Sequence, residues 1–142
     1  MRVAEYRMAG ARPQDKDATL TVFAEKMGSV EANVNRWFGQ FTPADGGQKD
    51  NPGRQWEKQV DGMDVVVVDI SGTYAANMGM SQQGNTPPVE NYRMLRAIVD
   101  FSSKFFYFEL TGPKDTVGLW TASFEQFTKG IKKDRFRTLR RF

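Results

Sequence analysis

The chain has 142 residues, 39% of them apolar, 13% aromatic and 26% charged, with a formal net charge of +3. That length supports one domain with a sizeable core that needs neither metal nor disulfide to hold it. There is no cysteine and no histidine, which excludes disulfides, thiolate nucleophiles, sulfur-ligated metals, Ser-His triads and the commonest zinc and iron ligand.

Catalysis would have to rest on Asp, Glu, Lys, Tyr or Arg alone, so the composition leans away from an enzyme, and no metal or cofactor is expected. No run approaches the roughly 20 apolar residues of a membrane span, and no charged-then-apolar leader is visible. Met1 opens directly on strand-like sequence, which is compatible with an internal position in a longer precursor. Charge is unevenly spread. Lys129 to Phe142 carries seven basic residues against one Asp, a local +6 that leaves −3 on the first 128 residues. The basic pI therefore comes from the tail.

Met1 to Met8 alternates with period two and predicts a strand, and Ala18 to Lys26, rich in Thr, Val and Phe, predicts the next. The link between them is of hairpin length, so the two are expected to pair antiparallel. Gly28 ends the strand, and Ser29 stands where an N-cap belongs. Val30, Val34, Trp37, Phe38 and Phe41 then fall on one helical stripe, with Glu31, Asn33, Asn35 and Arg36 pointing away. Thr42 to Val60, polar and broken by Gly and Pro, reads as a long surface loop.

Asp61-Gly62 is a turn signal before Met63 to Thr73, whose four consecutive valines predict a central strand covered on both faces. Tyr74 to Glu90 reads as a second long loop. In Tyr92 to Phe101 the apolar set is Leu95, Ala97, Val99 and Phe101, and in Phe105 to Leu110 it is Phe106, Phe108 and Leu110. An even-numbered link, such as Ser103-Lys104, puts both sets on one face. Pro113 suits a helix start, and Val117, Trp120, Phe124, Phe127 and Ile131 form the stripe of a closing helix. The predicted class is α+β: an antiparallel sheet of about five to six strands flanked by two helices, a single domain over 1–131 followed by a basic tail over 132–142.

Three groups of residues are candidates for function. If Asp69 shares a face with Arg96, Asp100, Tyr107 and Glu109, a carboxylate pair beside a cation could serve acid-base chemistry as a hydrolase or lyase. The plainer expectation is that Arg96 and Glu109 form an ion pair across strands. The loop from Ser71 to Asn85 offers Tyr74, Asn77 and Met78 to a partner, next to Tyr92 on the sheet; it has no phosphate-binding glycine spacing. The tail interleaves Arg135, Arg137, Arg140 and Arg141 with Phe136 and Phe142, a pattern that can grip single-stranded nucleic acid or an anionic surface. A solvated end of the last helix explains the same residues. Asp15-Lys16-Asp17 and the Asp61 to Asp64 spacing do not continue as calcium loops.

The order of elements carries a resemblance. SVEANVNRWFGQF after an early hairpin, a Val-rich strand running into SGTY, then YRMLRAIV, FFYFELTGP and DTVGLWTASFEQF together resemble a group of uncharacterised bacterial extracytoplasmic domains. More distantly they are similar to the PsbP-like fold, shared by the extrinsic photosystem II subunit and the Ran-binding Mog-type proteins. The resemblance covers about Met1 to Ile131. It implies a sheet flanked by helices and a binding or assembly role without catalysis, outside the cytoplasm. Two features depart from the group's pattern: its members have a further strand before the segment matching MRVAEYR, and they lack the arginine-rich end. On this reading the chain is a non-enzymatic domain for a protein partner. Its contact surface is the loop over 74–90 and the sheet face around Tyr92, Arg96, Tyr107 and Glu109. Association of anions or nucleic acid with the tail is the alternative.

Overall fold

The computed structural model describes residues 2–26, 30–42, 53–75, 87–101 and 104–132. Seven strands and two helices follow one another as β1 (Arg2–Met8), β2 (Ala18–Lys26), α1 (Val30–Gly39), β3 (Phe41–Thr42), β4 (Gly53–Val60), β5 (Met63–Tyr74), β6 (Val89–Phe101), β7 (Lys104–Pro113) and α2 (Lys114–Lys129). All strands belong to one antiparallel sheet in the order β1-β2-β7-β6-β5, with β3 and β4 end to end along the far edge of β5. The α+β class stands, with seven strands among the described residues rather than five or six.

The alternation of apolar residues assigns each face. In β6 and β7, Leu95 pairs with Leu110, Ala97 with Phe108 and Val99 with Phe106. These side chains, with Val65 and Val67 of β5 and Val22 of β2, form a core that Val117 and Phe124 of α2 close. The even residues of β5 and β6 point the other way. Val68, Ile70, Met94 and Ile98, with Phe105 and Tyr107 of β7, form a second core under Val34 and Trp37 of α1. The helices therefore cover opposite faces of the sheet, and β5 and β6 contribute to both cores. That accounts for the run of four valines, since residues 65 and 67 serve one core and 66 and 68 the other.

Several elements differ from the sequence reading. Phe101 pairs with Lys104, so Lys104 belongs to the strand and the two-residue link is 102–103; its even length keeps both apolar sets on one face. The half of the predicted loop over 53–60 is a strand, paired along β5 from Gly53 opposite Ile70 to Val60 opposite Met63. As an edge strand with one half-covered face it buries little beyond Val60, so its composition is polar and its period-two signal weak. Asp61 and Gly62, at φ 51° and 75°, close the hairpin in the two-residue turn that requires left-handed backbone at both positions. Helix α1 ends at Gly39, one residue short of Gln40, and Phe41 continues as β3 opposite Tyr74. The proposed Ser29 cap lies outside the described residues. So do Asn77 and Met78, and Arg135, Arg137, Arg140 and Arg141 of the tail.

Pro113 closes β7 immediately before α2, where its missing amide costs no helical bond. Thr116 donates its hydroxyl to the carbonyl of Lys16 at 2.8 Å, and the Trp120 indole donates to the carbonyl of Ala9 at 2.7 Å. These two bonds fasten the β1–β2 connection to the helix. No helix among the described residues is long and apolar enough to cross a membrane.

Candidate functional site

The site assembles on the α1 face, where β2, β7 and β6 lie side by side. Direct cross-strand pairing sets Arg96 opposite Glu109 and Phe23 opposite Tyr107. Helix α1 crosses above them and presents Asn33, Arg36 and Trp37 at i, i+3 and i+4, one helical stripe, and Gln40 follows directly after its end. Tyr74, at the end of β5, closes one side. Together with Glu25 these residues line a cavity of about 360 Å³.

Arg96 and Glu109 form the floor. Their side chains are only 12% and 17% exposed, and Arg96 Nη2 donates to Glu109 Oε1 at 2.7 Å. The Arg96 guanidinium carbon stands 4.0 Å from the centroid of the Trp37 ring, a cation–π contact in a largely desolvated setting. Burial lowers the Arg96 pKa and the Glu109 charge opposes that shift; the guanidinium stays charged at any physiological pH. Arg96 Nε is buried and has no hydrogen-bond partner among the described residues. An orphaned donor of this kind carries a desolvation cost.

Aromatic rings form the walls. Trp37 meets Tyr107 edge-on at 6.1 Å, and the Asn33 amide donates to the Tyr107 hydroxyl oxygen at 3.3 Å. The Tyr107 hydroxyl hydrogen thus stays free to donate elsewhere. Burial, and next the charge of Glu25, raise the Tyr107 pKa; burial likewise raises that of Tyr74. Both phenols are therefore neutral donors near pH 7. Tyr74 stacks on Tyr92 at 5.0 Å and 20° between planes, and tilts against Phe41 at 5.1 Å. A bulge sets this up: the β5–β6 register shifts between Gly72 and Tyr74, and Asn91 takes a left-handed φ of 54° beside it.

Of the residues singled out in the sequence, Tyr74, Arg96, Tyr107 and Glu109 meet in this one cavity, with Tyr92 on its outer side. The expectation of an open sheet face is corrected, because α1 covers it and Tyr107 is buried. Asn33 and Arg36, expected to point away from the sheet, line the cavity instead. Glu25, Phe23 and Trp37 also belong to it. A polar stripe running beside the apolar one on α1 was the signal that could have found the helical part.

Asp69 does not join them. It pairs with Leu95 and so faces α2, on the opposite side of the sheet from Arg96. There it accepts from Arg93 Nε at 2.9 Å and Arg93 Nη2 at 2.8 Å, and from Arg54 Nη2 at 3.3 Å. Burial alone would push its pKa up, but these two guanidinia outweigh it and the pKa is lowered. Asp100 borders a different, open cleft with Asp64 and Glu57. The carboxylate constellation that acid-base chemistry would need is therefore split between faces. Among the described residues no group of three or more acidic side chains is placed to hold a metal ion.

The fold is one antiparallel sheet with a helix packed on each face. A solved structure shares that plan: the crystal structure of PA94 from Pseudomonas aeruginosa, a protein of unknown function suggested to be a regulator. It superposes with a TM-score of 0.60 at 9% sequence identity, over 90% of this chain and 80% of that one. At that identity the likeness is one of fold alone. No protein-family model matches the sequence, and no curated protein matches it either.

Proposed function

We propose that this chain is a non-enzymatic binding domain for a protein partner, and that the partner engages the mouth of the α1 cavity and the Tyr74–Tyr92 end of the sheet. The observation that carries this reading is convergence. Five residues from three strands, Tyr74, Tyr92, Arg96, Tyr107 and Glu109, gather around one opening rimmed by stacked tyrosines. Tyr and Arg are the side chains that most often anchor interfaces. The cavity floor is the Arg96–Glu109 ion pair rather than a close carboxylate pair, which supports recognition over reaction chemistry.

The reading extends to the PsbP-like kinship and to a site of action outside the cytoplasm, both of which rest on the sequence resemblance. The test is quantitative co-purification from cells expressing the full chain, comparing the native sequence with a variant carrying Tyr74→Ala, Met78→Ala and Tyr92→Ala together. Partners enriched with the native chain are expected to fall away. An unchanged partner set would show that this surface is wrong. Association through the tail is the competing reading, and deletion of residues 132–142 with retained salt-sensitive binding to single strands or anionic lipid would remove it.

A further inference from the structure

At one end of the sheet the backbone is open on its outer side: among the described residues β1 pairs with β2 alone. An edge strand turns the N–H and C=O of every second residue outward, a template for another strand. From Ala4 to Met8 the pairing with β2 is regular, and its register shift lies before that stretch, between Arg2 and Ala4. The pairings also assign the faces. Tyr6 lies opposite Leu20 and Leu20 opposite Leu110, so Ala4, Tyr6 and Met8 face α2. Glu5 lies opposite Thr21 and Thr21 opposite Glu109, so Glu5 and Arg7 face the α1 side. Tyr6 is 56% exposed, a ring standing next to Met8 and Leu20, which line an apolar groove with Trp120 and Phe127.

Strand β1 is complementary to itself in one register. Two copies related by a two-fold axis normal to the sheet pair antiparallel, and like faces stay together only when a residue sits on the axis opposite its own copy. Centred on Glu5 or on Arg7, the pair sets like charges against each other. Centred on Val3 or Ala4 it crosses the irregularity at Arg2, and centred on Met8 it runs off the strand. Centred on Tyr6, it sets ring beside ring, Glu5 opposite Arg7 twice and Ala4 opposite Met8 twice. Arg7 meets Asp17 through one Nη2 at 3.0 Å with its side chain 84% exposed, so its other donors face solvent. We infer that β1 is a self-association strand, along which two copies of this chain join antiparallel with Tyr6 against Tyr6 to continue one sheet through both. This goes beyond the partner reading above and does not depend on it. The nine steps from one β5 to the other, at about 4.8 Å each, set the two Tyr74–Tyr92 ends roughly 40 Å apart, at opposite ends of the joined sheet.

The overlap from Ala4 to Met8 is short, an interface of the size of transient complexes, so the expected dissociation constant is about 10–100 µM. Sedimentation equilibrium of the full chain over about 5–500 µM should resolve that monomer–dimer equilibrium. Glu5→Arg and Arg7→Glu, each alone, oppose like charges on both sides of the axis and should weaken association about tenfold or more. Mixing the two single variants restores opposite charges in the heterodimer, and the swap Glu5→Arg/Arg7→Glu restores them within one chain, so both should recover the native affinity. Circular dichroism of each variant checks that the fold is retained. The register has its own readout, because the chain has no cysteine. Tyr6→Cys sets two thiols directly opposite, at a Cα spacing that a disulfide spans, whereas Met8→Cys leaves them about 14 Å apart. Mild oxidation should cross-link the first and not the second.

A chain that stays monomeric across that range would overturn the inference. So would a dimer indifferent to both charge reversals, or one that neither mixing nor the swap restores. Cross-linking of Met8→Cys as fast as that of Tyr6→Cys would overturn it as well, since the two strands would then meet in another register. The co-purification result is separate: a normal dimer alongside an unchanged partner set would refute the protein-partner surface and leave the β1 contact standing.

Discussion

Breaking the Arg96–Glu109 pair one side at a time should distinguish the energy of the pair from the cost of orphaning its members. In Arg96→Met, Glu109 keeps its place on β7, 17% exposed, with its cation gone. Removing one partner of a buried pair costs about 3–5 kcal/mol. The low end, about 3 kcal/mol, applies because each side chain retains some exposure. The thioether can replace part of the guanidinium's contact with Trp37, so that loss adds little. With a urea m-value of about 2–3 kcal/mol/M for a chain of this size, the midpoint should fall by roughly 1–1.5 M. The double variant Arg96→Met/Glu109→Met leaves no buried charge, and such replacements are neutral or stabilising. Its midpoint should lie within about 0.5 M of the native one, well above that of the single variant. Urea unfolding at pH 7, followed by far-ultraviolet circular dichroism, measures all three. A double variant as unstable as the single one would refute the reasoning, because the loss would then come from packing rather than from an unpaired charge.

Other expectations test other parts of the molecule. The Asp69 pKa is lowered in the folded state from its ordinary value of 3.8, so its contribution is present above about pH 4 and is lost as pH falls through the folded value; Asp69→Asn should flatten the fall in urea midpoint between pH 5 and pH 2.5, and an unchanged slope would count against the ion pair. Phe106 of β7, 1% exposed in the core that α2 closes, should cost about 3–5 kcal/mol when cut to Ala, whereas Leu119→Gln, at a side chain 52% exposed, should stay within about 0.5 kcal/mol. Gly112 has φ 155° and a Cβ there would meet Ala18 Cα at 2.7 Å; Gly112→Ala should therefore destabilise by at least about 2 kcal/mol, read as a drop in thermal midpoint, and a neutral result would show that β7 can shift away from β2.

Where a strand or helix buries one clean face, its side-chain period carried the information. The β6–β7 register followed from the parity of Leu95, Ala97 and Val99 against Phe106, Phe108 and Leu110, and both helices followed from their apolar stripes. Strand β4 was hidden because an edge strand needs few apolar residues, and Gly53, Arg54, Gln55 and Glu57 read locally as loop. The site was half legible. Parity put Arg96, Tyr107 and Glu109 on one face, but nothing local says which face α1 will cover, so a face that the helix packs over was read as an open surface. Asp69 was left undecided because the phase of β5 against β6 is set by long-range pairing, and one residue of shift moves it to the other side of the sheet.

Strand β6 sits where both cores meet, its odd residues turned to α2 and its even residues to α1. This has a consequence for how the gene can change length. Inserting or deleting one codon within β6 would exchange the two sets from that point on, sending Arg96 and Asp100 into the aliphatic core and Val99 or Ala97 into the polar cavity. Changes of two codons would preserve the faces and only displace pairings along the strand. Length variation among descendants of this chain should therefore fall outside β6, or within it in steps of two.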